Sequence, residues 1–103
     1  MERSEKYYRE ALDSRPNFIT ALSGLSQTYI AMGRIPEAVG KLEKAVRLAP
    51  DNAVLHFQLG RAYQLALEFE KAYRSYQQVV RLAPDSALAD QAEKAGMEVK
   101  ALF

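Results

Sequence analysis

Pro16, Pro50 and Pro84 stand 34 residues apart, and the residues around them return with the same spacing. Arg47-Leu48-Ala49-Pro50-Asp51 recurs as Arg81-Leu82-Ala83-Pro84-Asp85. At the same offset Leu25 matches Leu59, Tyr29 matches Tyr63, Ala38 matches Ala72 and Val46 matches Val80. A fixed period in this range means that one supersecondary unit is used repeatedly, each copy burying its apolar face against the next. Stacks of this kind work as extended contact surfaces, which sets the expected class of function before any single residue is considered.

Within the period, apolar residues recur at three- and four-residue spacing with no sustained alternation, the mark of amphipathic helices. Six helices are expected: about Glu2–Ser14, Phe18–Met32, Pro36–Leu48, Ala53–Leu67, Phe69–Leu82 and Ala87–Leu102. Gly33 suits a helix end because it tolerates positive φ. Pro36 suits a first turn, where a missing amide costs nothing. Pro50-Asp51-Asn52 and Pro84-Asp85-Ser86 break the chain and offer side-chain oxygens to the free amides of the next helix. Connections this short force successive helices to lie antiparallel and in contact.

Other chemistry is not written in this chain. Fourteen Lys and Arg against 13 Asp and Glu leave a net charge of +1, with the two signs interspersed. Nucleic acid and anionic membranes call for a concentrated basic face instead. No stretch approaches the roughly 20 apolar residues of a membrane span, and the polar start is unlike a signal peptide. With no cysteine and a single histidine, His56, thiol chemistry is absent and metal or acid–base sites have no basis. The five glycines are dispersed and form no phosphate-cradling loop. The expectation is no cofactor and no enzyme activity.

The pattern resembles the tetratricopeptide repeat family, whose 34-residue unit is a pair of antiparallel helices, A and B. From Ile19 the chain supplies Leu22, Leu25, Ser26, Tyr29, Ala38, Leu42, Ala45 and Pro50 at the family's key positions. From Ala53 it supplies His56, Leu59, Gly60, Tyr63, Ala72, Tyr76, Val79 and Pro84; His56 departs, since a large aromatic or leucine is usual there. Ser4, Tyr8, Ala11 and Pro16 fit the second half of a preceding unit. The organisation read from this is a B-type half repeat (1–18), repeats at 19–52 and 53–86, and a capping helix (87–103). The resemblance implies an all-α fold, a right-handed α-solenoid of antiparallel helix hairpins. The small residues Ser26, Gly60, Ala38 and Ala72 let helices approach, while Tyr29 and Tyr63 fill the space between hairpins.

Two departures stand out. Leu67 occupies the slot of the turn glycine Gly33, so the second hairpin turns differently or exposes an apolar side chain. In the last helix Asp90, Glu93 and Lys94 take slots for packed residues. Its apolar stripe is expected instead along Leu88, Ala92, Ala95, Val99 and Leu102. The favoured role of that helix is a cap on the stack; the alternative is that Met97, Val99, Leu102 and Phe103 present an apolar strip to a partner or second copy. At the other end Tyr7, Tyr8 or Leu12 is expected to be partly bare.

What the resemblance implies for function is capture of an extended peptide or partner helix by the A helices, on the concave face. Carried over by position, the lining is Thr20, Ser23, Gly24, Gln27, Ile30 and Ala31, then Val54, Phe57, Gln58, Arg61, Gln64 and Leu65, with Gln91 from the last helix. Phe57 would anchor an apolar side chain, Arg61 pair a carboxylate, and Gln27 and Gln58 bond a peptide backbone. The competing reading packs Phe57 against Ile30 and Leu65 and pairs Arg61 with a glutamate. A family subgroup clamps acidic chaperone tails with Lys, Asn and Arg; the matching residues here, Ser23, Gln27, Gln58, Leu88 and Ala92, include none of these. The expected partner is therefore a protein or peptide of another kind, bound by a segment of a larger protein. Self-association through the terminal helices and an accessory arm of an enzyme are the alternative roles.

Overall fold

The computed structural model describes residues 2–103. Its six helices are α1 (Glu2–Ser14), α2 (Ile19–Ala31), α3 (Ile35–Leu48), α4 (Ala53–Leu65), α5 (Phe69–Leu82) and α6 (Ala87–Lys100), with no strand among the described residues. The helices fall into two compact units, 1–50 and 51–103.

In the first unit α2 packs against both α1 and α3. Leu22, Leu25, Ser26, Tyr29, Ala38, Leu42 and Ala45 are all buried, so the periodic residues form the core. Tyr8, Leu12, Ile30 and Met32 close over the cluster of Leu25, Tyr29 and Ala38. Tyr8 reaches far because Gly24 lacks a side chain: a Cβ there would stand 2.7 Å from the Tyr8 hydroxyl. Tyr7, one residue earlier on α1, is 68% exposed.

In the second unit α5 packs against α4 and α6. Tyr76 is its largest fully buried side chain, and Gly60 gives it room, since a Cβ at Gly60 would lie 2.8 Å from Tyr76 Cε1. Asn52 Oδ1 accepts from the Leu55 amide at 3.3 Å, and Ser86 Oγ from the Ala89 amide at 3.0 Å. Both caps satisfy an amide that the first turn leaves without a helical partner.

The α2–α3 and α4–α5 turns are the same turn. Gly33 has φ 79° and Leu67 φ 63°. The Arg34 amide donates to the Tyr29 carbonyl at 2.8 Å, and the Glu68 amide to the Tyr63 carbonyl at 2.9 Å. The expectation that Leu67 redirects the hairpin is therefore corrected; the alternative, an exposed apolar side chain, holds at 73% exposure. The Glu68 bond, a second from the Leu67 amide to the Gln64 carbonyl at 3.1 Å, and the packing on either side of the turn hold a leucine in the left-handed region, which a Cβ disfavours. The flanking ion pairs also coincide in position with their signs exchanged: Arg34–Glu37 at 2.6 Å and Lys71–Glu68 at 3.3 Å.

The last helix differs from expectation. Its buried residues are Ala89, Ala92, Gly96 and Val99, whereas Leu88 and Ala95 are half-buried and Leu102 is exposed. Small side chains, rather than the leucines, face α5: a Cβ at Gly96 would make ordinary contact with the Tyr73 ring and Tyr76 Cβ at 3.6 Å. Close approach there is worth more than burying Leu88, because a bulkier stripe would hold α6 off the α5 tyrosines. Val99 is consequently core and not part of an exposed strip; Met97, Leu102 and Phe103 remain exposed.

Candidate functional site

The residues expected to hold a ligand lie on α2 in one unit and on α4 and α6 in the other. On α2, Thr20, Ser23 and Gln27 follow one another at three- and four-residue spacing and share a face. Thr20 and Gln27 are exposed. Ser23 is half-buried, and its carbonyl accepts the Ser26 hydroxyl at 2.6 Å. Gly24, expected beside them, is half-buried under Tyr8, because α1 uses the missing side chain to come close.

Two arginines of this unit, Arg9 and Arg34, are already engaged. Arg34 lies over the Tyr29 ring at 4.7 Å, while Arg9 Nη2 donates to the Tyr29 hydroxyl at 3.1 Å. The Glu5 carboxylate takes Arg9 at 3.0 Å and Arg34 at 3.1 Å. Arg34 in turn holds the Glu37 carboxyl below its ordinary range through their hydrogen bond. This network ties α1 to the α2–α3 turn.

The second unit presents different chemistry. Phe57 is half-buried with its ring tilted against Tyr76, centroids 5.6 Å apart. Beneath it the Tyr76 hydroxyl donates to Gln64 Oε1 at 2.8 Å. Burial raises the pKa of that hydroxyl; Arg61 from α4 acts against the rise and Glu98 from α6 adds to it. Arg61, four residues beyond Phe57 and on the same face, is exposed and makes no ion pair among the described residues. Gln58 is half-buried and engaged within the fold. On α6, Gln91 is exposed and shares a face with Ala95 and Glu98. Phe57, Arg61 and Gln64 thus form one patch around the Tyr76 hydroxyl, with Glu98 acting on it from α6.

Phe57 therefore rests on Tyr76 within its own unit, while Leu65, proposed as its packing partner, is exposed. Glu98 did not figure among the expected residues. Its signal was present as the seven-residue step from Gln91, which returns to the same helix face.

Comparison with known proteins agrees with this architecture. A TPR repeat model matches residues 27–66, and a tetratricopeptide repeat model matches residues 53–86. The chain belongs to the tetratricopeptide repeat family. The first TPR of Spaghetti (RPAP3), solved with the HSP90 peptide SRMEEVD, superposes with a TM-score of 0.86 at 17% identity, covering 98% of this chain and 80% of that one. Hsp70-Hsp90 organizing protein 3 of Arabidopsis thaliana is 29% identical over 79 residues, which are 77% of this chain and 14% of that protein. Anaphase-promoting complex subunit 3 of Schizosaccharomyces pombe is 28% identical over 88 residues, 85% of this chain and 13% of the relative. The TPR segment described here thus spans about a seventh of the length of these relatives. In this family the fold serves protein–protein interaction.

Proposed function

We propose that this TPR segment is a non-enzymatic binding module, and that the α4 face of its second unit captures a peptide or partner helix bearing an apolar side chain close to a carboxylate. Phe57 supplies the apolar seat and Arg61 the cation. Gln91 is positioned to bond a peptide backbone from α6, as Gln58 is from α4 if its present partner is exchanged. In the first unit Thr20, Ser23 and Gln27 offer a polar face of hydrogen-bonding groups. The observation that carries this reading is that Phe57 and Arg61 stand one turn apart on the same face of α4, the arginine making no ion pair among the described residues. The rigid helices beneath them mean that little ordering is lost on binding.

The RPAP3 ligand SRMEEVD is rich in carboxylates. This chain carries Ser23, Gln27, Gln58, Leu88 and Ala92 at the positions where the acidic-tail clamp uses Lys, Asn and Arg. A single arginine favours a ligand with one well-placed acid over an acidic terminus. The test is selection from a displayed random-peptide library on the wild-type chain, followed by affinity measurements on the Phe57→Ala and Arg61→Glu variants. Selected peptides are expected to place Asp or Glu within a few residues of a large apolar side chain. Each variant should bind at least tenfold more weakly, a loss within the range of an interface anchor. Wild-type affinity in both variants overturns the proposal.

A further inference from the structure

A single side chain from outside α4 holds both Phe57 and Gln64. Tyr76 of α5 is 1% exposed, its ring in the core where Gly60 leaves it room. That ring meets Phe57 with centroids 5.6 Å apart, and its hydroxyl donates to Gln64 Oε1 at 2.8 Å. A phenol has one proton to give, and here the amide oxygen takes it. The Gln64 nitrogen makes no hydrogen bond among the described residues, and the side chain is only half-buried.

A glutamine free to rotate turns its amide to suit a donor or an acceptor. With its oxygen engaged, Gln64 has only N–H groups left to offer. Arg61 lies one turn earlier on the same face and likewise has donors and no acceptor. At these two positions the α4 face therefore presents donors alone. Glu98, acting on the same hydroxyl from α6, repels an acid from that side and leaves the α4 side for it.

We infer that Gln64 is a second donor to the ligand carboxylate beside Arg61, and that Tyr76 is the positioning residue that makes it one, so that the site takes Asp or Glu in preference to Asn or Gln. The inference rests on the α4 face being the ligand site. A carboxylate accepts at both oxygens and can bond Arg61 and Gln64 together. A carboxamide has one oxygen, and its N–H groups would face donors and stay unpaired, which costs affinity. Because the ring that orients Gln64 also supports Phe57, the apolar seat and the acid seat keep a fixed separation.

The experiment uses a peptide from the library selection and its counterpart in which the acid is replaced by the matching amide. Affinities for both are measured by calorimetry on the wild type and two variants. Tyr76→Phe keeps the ring in the core and removes only the hydroxyl. It should lower the acid-over-amide ratio by roughly threefold or more, the scale of a neutral hydrogen bond, with helix content unchanged. Gln64→Glu keeps an acceptor for Tyr76 but exchanges the free donors for an oxygen; it should lower the ratio by roughly tenfold or more, the scale of a bond to a charged group. In NMR spectra of the free chain the Gln64 side-chain amide should shift in Tyr76→Phe while that of Gln91 stays in place. An unchanged ratio in either variant, or an unmoved Gln64 amide, overturns the inference, and the α4 site itself stands if Arg61→Glu still weakens binding. If Arg61→Glu and Phe57→Ala both bind like the wild type, the α4 site falls and the inference with it.

Discussion

Leu67 is held at φ 63° in a turn that its repeat-mate Gly33 makes at φ 79°. A side chain in the left-handed region costs about 1–2 kcal/mol because its Cβ crowds the following carbonyl. Leu67→Gly removes that cost. It also adds freedom to the unfolded chain, which offsets about 0.5–1 kcal/mol. At 73% exposure the leucine gives up little burial, so the net gain is about 0.5–1 kcal/mol. For a chain of this size that raises Tm by roughly 2–8 °C. Leu67→Asn should also stabilise, since asparagine tolerates this region without glycine's unfolded-state freedom, whereas the β-branched Leu67→Val should lower Tm. The assay is thermal and urea unfolding followed by far-ultraviolet circular dichroism, with unchanged m-values showing that native and denatured states keep their extent. If the valine variant melts with the wild type, or neither glycine nor asparagine raises Tm, the reasoning about the turn is wrong.

Two glycine substitutions separate close packing from helix propensity. Gly60→Ala drives a Cβ into the immobile Tyr76 ring and should cost about 1–3 kcal/mol in urea unfolding. Gly40→Ala in α3 meets nothing within 4 Å and should stabilise by about 0.5–1 kcal/mol. The Arg34–Glu37 pair predicts a pH dependence. Because the folded state holds the Glu37 carboxyl below its ordinary value near 4.5, its contribution is present above that pH and fades as pH falls through the lowered value. Arg34→Gln should therefore narrow the difference in Tm between pH 6 and pH 3; an unchanged difference contradicts the assignment.

The period made the core legible because burial repeats with the helices. Leu25 with Leu59, Tyr29 with Tyr63 and Ala38 with Ala72 are buried in matching pairs for the same steric reason. The prolines and the Asn52 and Ser86 caps placed the breaks to within a few residues. What the spacing could not reveal was how closely helices approach. On α6 the spacing predicts burial of Ala92 and Val99, which are buried, and also of Leu88 and Leu102, whose places in the core go to Ala89 and to Gly96 against Tyr73 and Tyr76. At Leu67 residue type suggests a new turn or an exposed apolar side chain; hydrogen bonds and packing impose the old turn, and the side chain is exposed. At the candidate site, Phe57 and Arg61 follow from repeat position, while the Tyr76 hydroxyl, its bond to Gln64 and the field of Glu98 arise only when three helices come together.

The central claim is that α4 carries the ligand-binding face. The most direct measurement is a titration of the isotopically labelled chain with a library-selected peptide, following backbone amide shifts by NMR. The account predicts that the largest shifts fall on α4 from Phe57 to Gln64 and on α6 around Gln91, saturate at one peptide per chain, and vanish in Arg61→Glu with a well-folded spectrum. Shifts confined to α5, or to the Leu67 turn, with α4 unmoved would contradict it.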